Sequence, residues 1–256
     1  MADVAVLGVY YYVFNSKDPV VGGAKNKLLR QAISQAIDRE TINEQVYDGT
    51  RTLPSGITPP GIPGFKDDIC KFCKYDLAAA KKAFADWQAA GNKLSGPIAL
   101  QFNADAGHED VVAIIVDNLK AVGITAEPKP FPSETYFSSL AKGACQFCRS
   151  GWYADYPTYD NFMYDLFHTD AIGGNNNGLY SNPKFDKLVD EAKATTDEDT
   201  ATKNYNEAEE LLLNEDIAAV PVNFYLGDYV WNNSKLANFP QTPLGLIAWE
   251  QIRLKG

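Results

Sequence analysis

The chain has 256 residues, 45% of them apolar and 22% charged, which suits a sizeable core in one large domain or two small ones. Its formal net charge is 23 − 33 = −10, which argues against nucleic acid or an anionic membrane surface as partner. No apolar run reaches the roughly 18 residues that span a bilayer.

The start, Met1-Ala2-Asp3, lacks the basic region of a signal peptide. Alone that points to the cytoplasm, although a segment of a longer secreted chain reads the same way. Residues 4–15 are β-branched and aromatic without helical period, so they predict a long buried strand. Leu28, Leu29, Ala32, Ile33, Ala36 and Ile37 form a helical stripe over residues 24–37. Asp38 caps a second helix over 39–47 that stops at Asp48-Gly49. Residues 54–64 hold four prolines and three glycines and must be an extended loop. Asp76 caps a helix to about residue 90, with Leu77, Ala80, Phe84 and Trp87 inward and Gly91 closing it. Residues 97–103 read as a strand, 108–122 as a helix closed by Gly123, 124–129 as a strand, 133–142 as a helix and 145–151 as a strand. This alternation predicts a sheet with helical crossovers. A helix follows over about 161–167, then a flexible loop at 173–178. Asn182 with Pro183 opens another helix, and Asp197 a further one. Residues 218–230 form a second long strand. The last stretch, 231–256, has too little apolar surface for a core of its own.

Four cysteines form two CxxC pairs, Cys70/Cys73 and Cys145/Cys148. Two local disulfides in an oxidising compartment, one four-thiolate zinc site and a thioredoxin-like redox motif are the three readings. Disulfides are favoured over zinc, because the flanks lack Gly-rich knuckle turns. The redox reading comes last, because no small βαβ unit surrounds either pair.

The stretch 150–160 packs Trp152, Tyr153, Tyr156 and Tyr159 beside Asp155 and Asp160 where a strand passes into a helix. Strand ends facing a cleft are where α/β proteins hold ligands. Aromatic walls and a carboxylate suit a cationic or apolar ligand group. The bland alternative is an aromatic core cluster with Asp160 as helix N-cap. A secreted carbohydrate-active enzyme using Asp155 and Asp160 as acid and base is a further alternative, as is a zinc-organised interaction domain. His108 sits at a helix start, where capping and solvation are the usual explanation, and His168 near a helix C-terminus. There is no GxSxG elbow, phosphate loop or GxGxxG after a strand. No catalytic residue, metal or cofactor is expected.

Several stretches, in order, resemble family 5 of the extracytoplasmic solute-binding proteins, the oligopeptide- and dipeptide-binding subunits of ABC importers. They are residues 11–15 (YYVFN), 29–40 (LRQAISQAIDRE), Gly49 with the Pro-rich loop to Phe65, 75–81 (YDLAAAK), 151–157 (GWYADYP), 176–186 (NNGLYSNPKFD) and 220–222 (VPV). The resemblance implies an α/β fold: a type II periplasmic-binding-protein-like lobe, with a mixed sheet flanked by helices. Family members are about twice this long and close two lobes around a cleft. Residues 4–230 therefore resemble the second ligand-binding lobe, and 231–256 a return segment that completes a first lobe not in this chain. The resemblance also implies a peptide or other small solute as ligand and an ABC permease as partner. It implies an extracellular, lipoprotein-anchored full-length protein without enzymatic activity. By the same resemblance Asp155 pairs with a peptide α-amino group and Trp152 lines a side-chain pocket. Arg149 is the candidate partner for a peptide carboxylate or a structural ion pair. Tyr153, Tyr136, Phe224 and Tyr225 are candidate aromatic walls, with Asn223 beside them.

Overall fold

The computed structural model describes residues 2–229 and 231–255, with the side chains of 6–227 and 231–255. Five strands form one mixed sheet, in the order β3-β2-β4-β1-β5. They are β1 (Ala2–Phe14), β2 (Ile98–Asn103), β3 (Ala126–Phe131), β4 (Phe147–Tyr153) and β5 (Ala219–Tyr229). β2 runs parallel to β3 and β4, while β1 runs antiparallel to both β4 and β5. Val230, the expected end of the last strand, lies outside the described residues.

The long first strand explains its own composition. Successive side chains point to opposite faces. Val9, Tyr11 and Val13 enter one core, and Tyr10, Tyr12 and Phe14 enter the other. Both faces are buried, so the run is continuously apolar rather than alternating. The Tyr10 face packs against α1 (Lys27–Ala36), α3 (Leu77–Ala89) and α4 (Glu109–Val122). The Tyr11 face packs against α5 (Ser133–Leu140), α6 (Asp160–Phe167), α7 (Pro183–Ala194) and α8 (Glu198–Glu210). On α3 the fourth inward residue is Ala83, and Leu77 is half-buried. The edge strand β3 carries Pro128 and Pro130 and is largely exposed, a pattern that blunts pairing with other chains.

Helix starts follow the expected caps. Asp38 accepts from the Thr41 N–H at 3.0 Å ahead of α2 (Arg39–Tyr47), Asp76 from Ala79 at 2.8 Å, and Asp197 from Thr200 at 2.7 Å. Asp38→Ala should cost about 1 kcal/mol of unfolding free energy, the usual worth of such a cap, measured by urea denaturation. The RQAxxxAIDRE run is structural. The Arg30 guanidinium donates to the carbonyls of Val21, Gly23, Asp216 and Ile217, and Arg39 to those of Pro221, Ser34 and Ile37. Two buried cations thereby fasten α1 and α2 to the entry of β5.

Cys70–Cys73 and Cys145–Cys148 are disulfides with S–S distances of 2.04 and 2.08 Å, and no described cysteine is free. Each pair is joined locally, and no group of three or more described His, Cys, Asp or Glu side chains is gathered to hold a metal, which favours the disulfide reading over the four-thiolate zinc site. Among the described residues no helix is long and apolar enough to cross a membrane. The loop at 173–178 departs from expectation. Asn176 is fully buried, donates to the carbonyls of Phe167, His168 and Tyr180, and accepts from the Tyr180 N–H. Half of a polar, Gly-rich loop, residues 176–178, is thus buried and anchored through the Asn176 amide. Residues 231–255 pair with themselves through bridges Leu236–Leu254 and Gln241–Ile247, and leave Leu246, Trp249 and Leu254 exposed.

Candidate functional site

β4 carries Arg149, Trp152 and Tyr153, and alternation along it sends Arg149 and Tyr153 to one face and Trp152 to the other. Arg149 lies on the Tyr10 face. Its Nη2 donates to the Tyr225 hydroxyl at 3.1 Å, its Nη1 approaches Asn103 Oδ1 at 3.4 Å, and its Cζ sits 4.8 Å above the Tyr10 ring. No carboxylate among the described residues pairs with it, and its buried Nε has no hydrogen-bond partner. Among the described residues it forms no structural ion pair, which was one expectation for it. Tyr153 and Tyr225 stack at 4.5 Å with 18° between planes, over Gly8 and Gly151. A Cβ on Gly8 would come within 2.7 Å of the Tyr225 ring, and one on Gly151 within 2.3 Å of the Tyr225 hydroxyl. The Gly of the GWYADYP run is thus the space that the Arg149–Tyr225 contact occupies.

Trp152 lies on the other face, half-buried. Its indole N–H donates to Asn161 Oδ1 at 3.0 Å, and the Asp155 N–H donates to the same oxygen at 2.9 Å. Asn161, itself fully buried, also donates to Asp165 at 2.7 Å. One amide therefore sets the geometry of both Trp152 and Asp155. Sequence reasoning missed it; the available signal was an Asn between the apolar positions Tyr159 and Phe162 in the first turn of α6. The Asp155 carboxylate itself is exposed and has no hydrogen bond or ion pair among the described residues.

Other candidates fall elsewhere. Tyr136 is fully buried, and its hydroxyl donates to the carbonyls of Gln101 and Arg149, so it supports the Arg149 backbone rather than lining a recess. Phe224 is a core residue, and Asn223 beside it is buried with both amide atoms unbonded. Asp160 is not a cap: Tyr159 holds that position without a side-chain bond. Asp160 instead accepts from the hydroxyls of Tyr205 at 3.3 Å and Tyr156 at 3.4 Å, with Lys193 at 3.8 Å. An aspartate so engaged does not make a free acid–base partner for Asp155. His108 is not a solvated cap either. It is buried against Tyr10, 3.2 Å from that hydroxyl, and burial, with the Arg149 charge second, pushes its pKa down to about 4. It is therefore a neutral hydrogen-bonding group at neutral pH. His168 does end α6, buried, with Nδ1 accepting from the Asp170 N–H. Among the described residues no group of three or more His, Cys, Asp or Glu side chains is placed to hold a metal ion.

This architecture has many relatives. An oligopeptide-binding protein of Borrelia burgdorferi superimposes with a TM-score of 0.84 over 99% of this chain and 50% of its own, at 22% identity, a likeness of fold. The oligopeptide-binding protein OppA of Haemophilus influenzae, solved with the peptide RPPGFSPFR, gives 0.76 over 88% of this chain and 44% of its own, at 26% identity. In sequence, OppA of Bacillus subtilis is 26% identical over 88% of this chain and 41% of its own length. Heme-binding protein A of Haemophilus influenzae is 26% identical over 98% and 45%. The chain thus spans less than half the length of these curated relatives. The family profile described as "Bacterial extracellular solute-binding proteins, family 5 Middle" matches residues 2–174. With two thirds of its length inside that profile and the sheet and helices to match, the chain belongs to the family 5 bacterial extracellular solute-binding proteins.

Proposed function

We propose that the chain is the second lobe of an extracellular peptide-binding protein that delivers oligopeptides, or a related solute, to an ABC importer. One observation carries this reading. Within β4 stands an enclosed guanidinium, Arg149, and just past the strand's carboxyl end an exposed carboxylate, Asp155, neither with an opposite charge from the described residues. A peptide is zwitterionic and brings both missing charges. Asp155 takes the α-amino group, Arg149 a carboxylate, Tyr153 and Tyr225 form a wall, and Trp152 faces a side chain. Relatives whose names specify oligopeptides or di- and tripeptides support the ligand class. Residues 231–256 are then the return segment of a first lobe that supplies the opposite wall. Closure of two lobes about a hinge traps the ligand and presents the closed form to the permease. The full-length protein is a lipoprotein, and the site binds without catalysing.

Asp155→Ala in the two-lobed protein should weaken a peptide with a free N-terminus by about tenfold or more, equal to at least ~1.4 kcal/mol. The N-acetylated peptide should bind weakly to both proteins, with no further loss. Calorimetry checks this, and equal loss for both peptides refutes the role of Asp155. The lobe alone should bind far more weakly than the two-lobed protein, so micromolar binding by the 256-residue chain would contradict the half-site reading.

A further inference from the structure

The two disulfides each join cysteines three positions apart, yet their surroundings differ. Exposure does not separate them: Cys70 and Cys73 are 4% and 5% exposed, Cys145 and Cys148 6% and 0%. Room does. Cys70 and Cys73 line a cavity of about 450 Å3, with the exposed side chains of Leu53 and Tyr75 at its mouth. Cys148 lies inside β4, paired with Val13 of β1 on one side and Gln101 of β2 on the other. Its Sγ sits 3.2 Å from Gln101 Oε1, and Cys145 Sγ sits 3.9 Å from the Val13 carbonyl. The Cys70–Cys73 turn, moreover, has anchors besides its sulfur bridge. The Cys70 N–H donates to the Ser55 carbonyl, and the Lys71 N–H to Asn214 Oδ1, each at 2.8 Å. Asn214 Nδ2 donates to the Ile69 carbonyl and Ser34 Oγ to the Phe72 carbonyl, again at 2.8 Å. The Pro-rich loop, the turn after α8 and α1 thus all hold it. A bridge that closes so short a loop removes little entropy from the unfolded chain.

We propose that Cys70–Cys73 is a thiol–disulfide exchange site of the folded chain, served by the dithiol of a partner protein, while Cys145–Cys148 is locked by the sheet. A thiolate of the partner enters the cavity and attacks one sulfur in line with the S–S bond. A new S–S bond forms as the Cys70–Cys73 bond breaks, and its electron pair leaves on the other cysteine as a thiolate. The partner's second thiolate then attacks its own sulfur in the mixed disulfide and releases the remaining cysteine. Two electrons and two protons pass from the dithiol to Cys70 and Cys73, and the dithiol ends as a disulfide. The partner must be a dithiol because the freed cysteine stands three residues from the mixed disulfide and expels any monothiol. Run backwards, the same steps close the bridge in a chain already folded. Arg39 and Lys74 line the cavity and favour the thiolates that attack and leave. Glu40, Asp67 and Asp68 line it too and oppose them, so the site offers room rather than charge. Neither cysteine touches the peptide site, and the exchange stands apart from the peptide-binding reading.

The test treats the 256-residue chain with dithiothreitol or with a reduced Cys-x-x-Cys peptide, quenches aliquots with iodoacetamide and maps the alkylated cysteines by mass spectrometry. Without denaturant, Cys70 and Cys73 should be reduced about tenfold faster than Cys145 and Cys148, or more, by either dithiol. The Cys70–Cys73 rate should stay constant up to about 1 M urea, whereas the Cys145–Cys148 rate should climb, because only unfolding exposes that pair. 2-Mercaptoethanol at the same thiol concentration should leave Cys70–Cys73 largely oxidised. The chain reduced at Cys70–Cys73 and the double variant Cys70→Ala with Cys73→Ala should both keep the dispersed amide NMR spectrum of the wild type. Equal rates for the two pairs, or faster reduction of Cys145–Cys148, would overturn the proposal. So would a Cys70–Cys73 rate that climbs with urea in step with the other pair, since exchange would then belong to the unfolded chain. Loss of the dispersed spectrum on reduction or in the double variant would make the bridge a structural staple and likewise overturn it.

Discussion

Glu209→Ala lowers the unfolding free energy by about 3 kcal/mol or more, whereas Glu209→Gln changes it by about 1 kcal/mol at most. Glu209 is 1% exposed near the end of α8 and has no cationic partner. Its Oε1 accepts from the Ile57 N–H at 2.6 Å and the Thr58 N–H at 3.1 Å, and its Oε2 from the Tyr159 hydroxyl. One carboxylate therefore joins the Pro-rich loop, the stretch that carries Trp152 and Asp155, and α8. Alanine leaves two buried N–H groups and a phenol without their acceptor. Glutamine keeps the carbonyl for both N–H groups, and its amide can donate to the Tyr159 oxygen, leaving that hydroxyl to Asn206 Oδ1 at 3.3 Å. Burial pushes the Glu209 carboxyl above its ordinary value of 4.5, with the hydrogen bonds from Tyr159, Thr58 and Ile57 opposing. A group whose folded pKa is raised contributes stability that is full below the unfolded value and is lost as pH rises through the folded one. The wild type should thus lose stability relative to Glu209→Gln as pH rises from 4.5, and urea titrations at a series of pH values read that gap. A gap that stays constant with pH would mean that Glu209 titrates alike in both states.

Local signals made the framework legible in the sequence. Asp38, Asp76 and Asp197 cap the helices they precede, because a side chain accepting from an N–H three residues on is a property of one short segment. The long apolar run of β1 and the αL glycine after α4 are equally local. What was not legible depends on partners far away in the chain. The resemblance offers Tyr136 as a wall aromatic, but the carbonyls of Gln101 and Arg149 hold it inward. His108 stands at a helix start, and only Tyr10, 98 residues earlier, shows that it is buried. Glu209 and Asn161 hold the stretch that carries Trp152 and Asp155, and neither belongs to a motif. The crowding of aromatics and carboxylates at 150–160 marked Trp152 and Asp155 in the sequence, and the resemblance to a family supplied their roles and that of Arg149. The structure adds that two of these are charges without partners, a property that no spacing reveals.

The space over Gly151, filled by the Tyr225 hydroxyl, yields the most specific expectation for the site. In Gly151→Ala the new Cβ would lie 2.3 Å from the Tyr225 hydroxyl and 3.0 Å from Arg149 Nη2, so the phenol must swing away and its bond to the guanidinium breaks. The change should cost about 2 kcal/mol in the otherwise wild-type chain. In a Tyr225→Phe background the oxygen is absent, and the nearest atoms become the flexible end of Arg149 and a ring carbon at 3.4 Å. The same alanine should then cost less than half as much, a coupling of about 1 kcal/mol between residues 74 positions apart in the chain, read by a double-mutant cycle in urea. Binding should follow a different rule. Both single variants release Arg149 from its hydroxyl, so each should weaken a peptide with a free carboxylate in the two-lobed protein and leave its C-terminal amide little changed. Additive stabilities would show that the Tyr225 hydroxyl does not fill the space over Gly151. Equal losses for acid and amide would show that Arg149 holds the wall together without meeting the ligand. Because stability reports the contact and the acid–amide difference reports the charge, the two measurements separate what Gly151 does for the fold from what it does for the ligand.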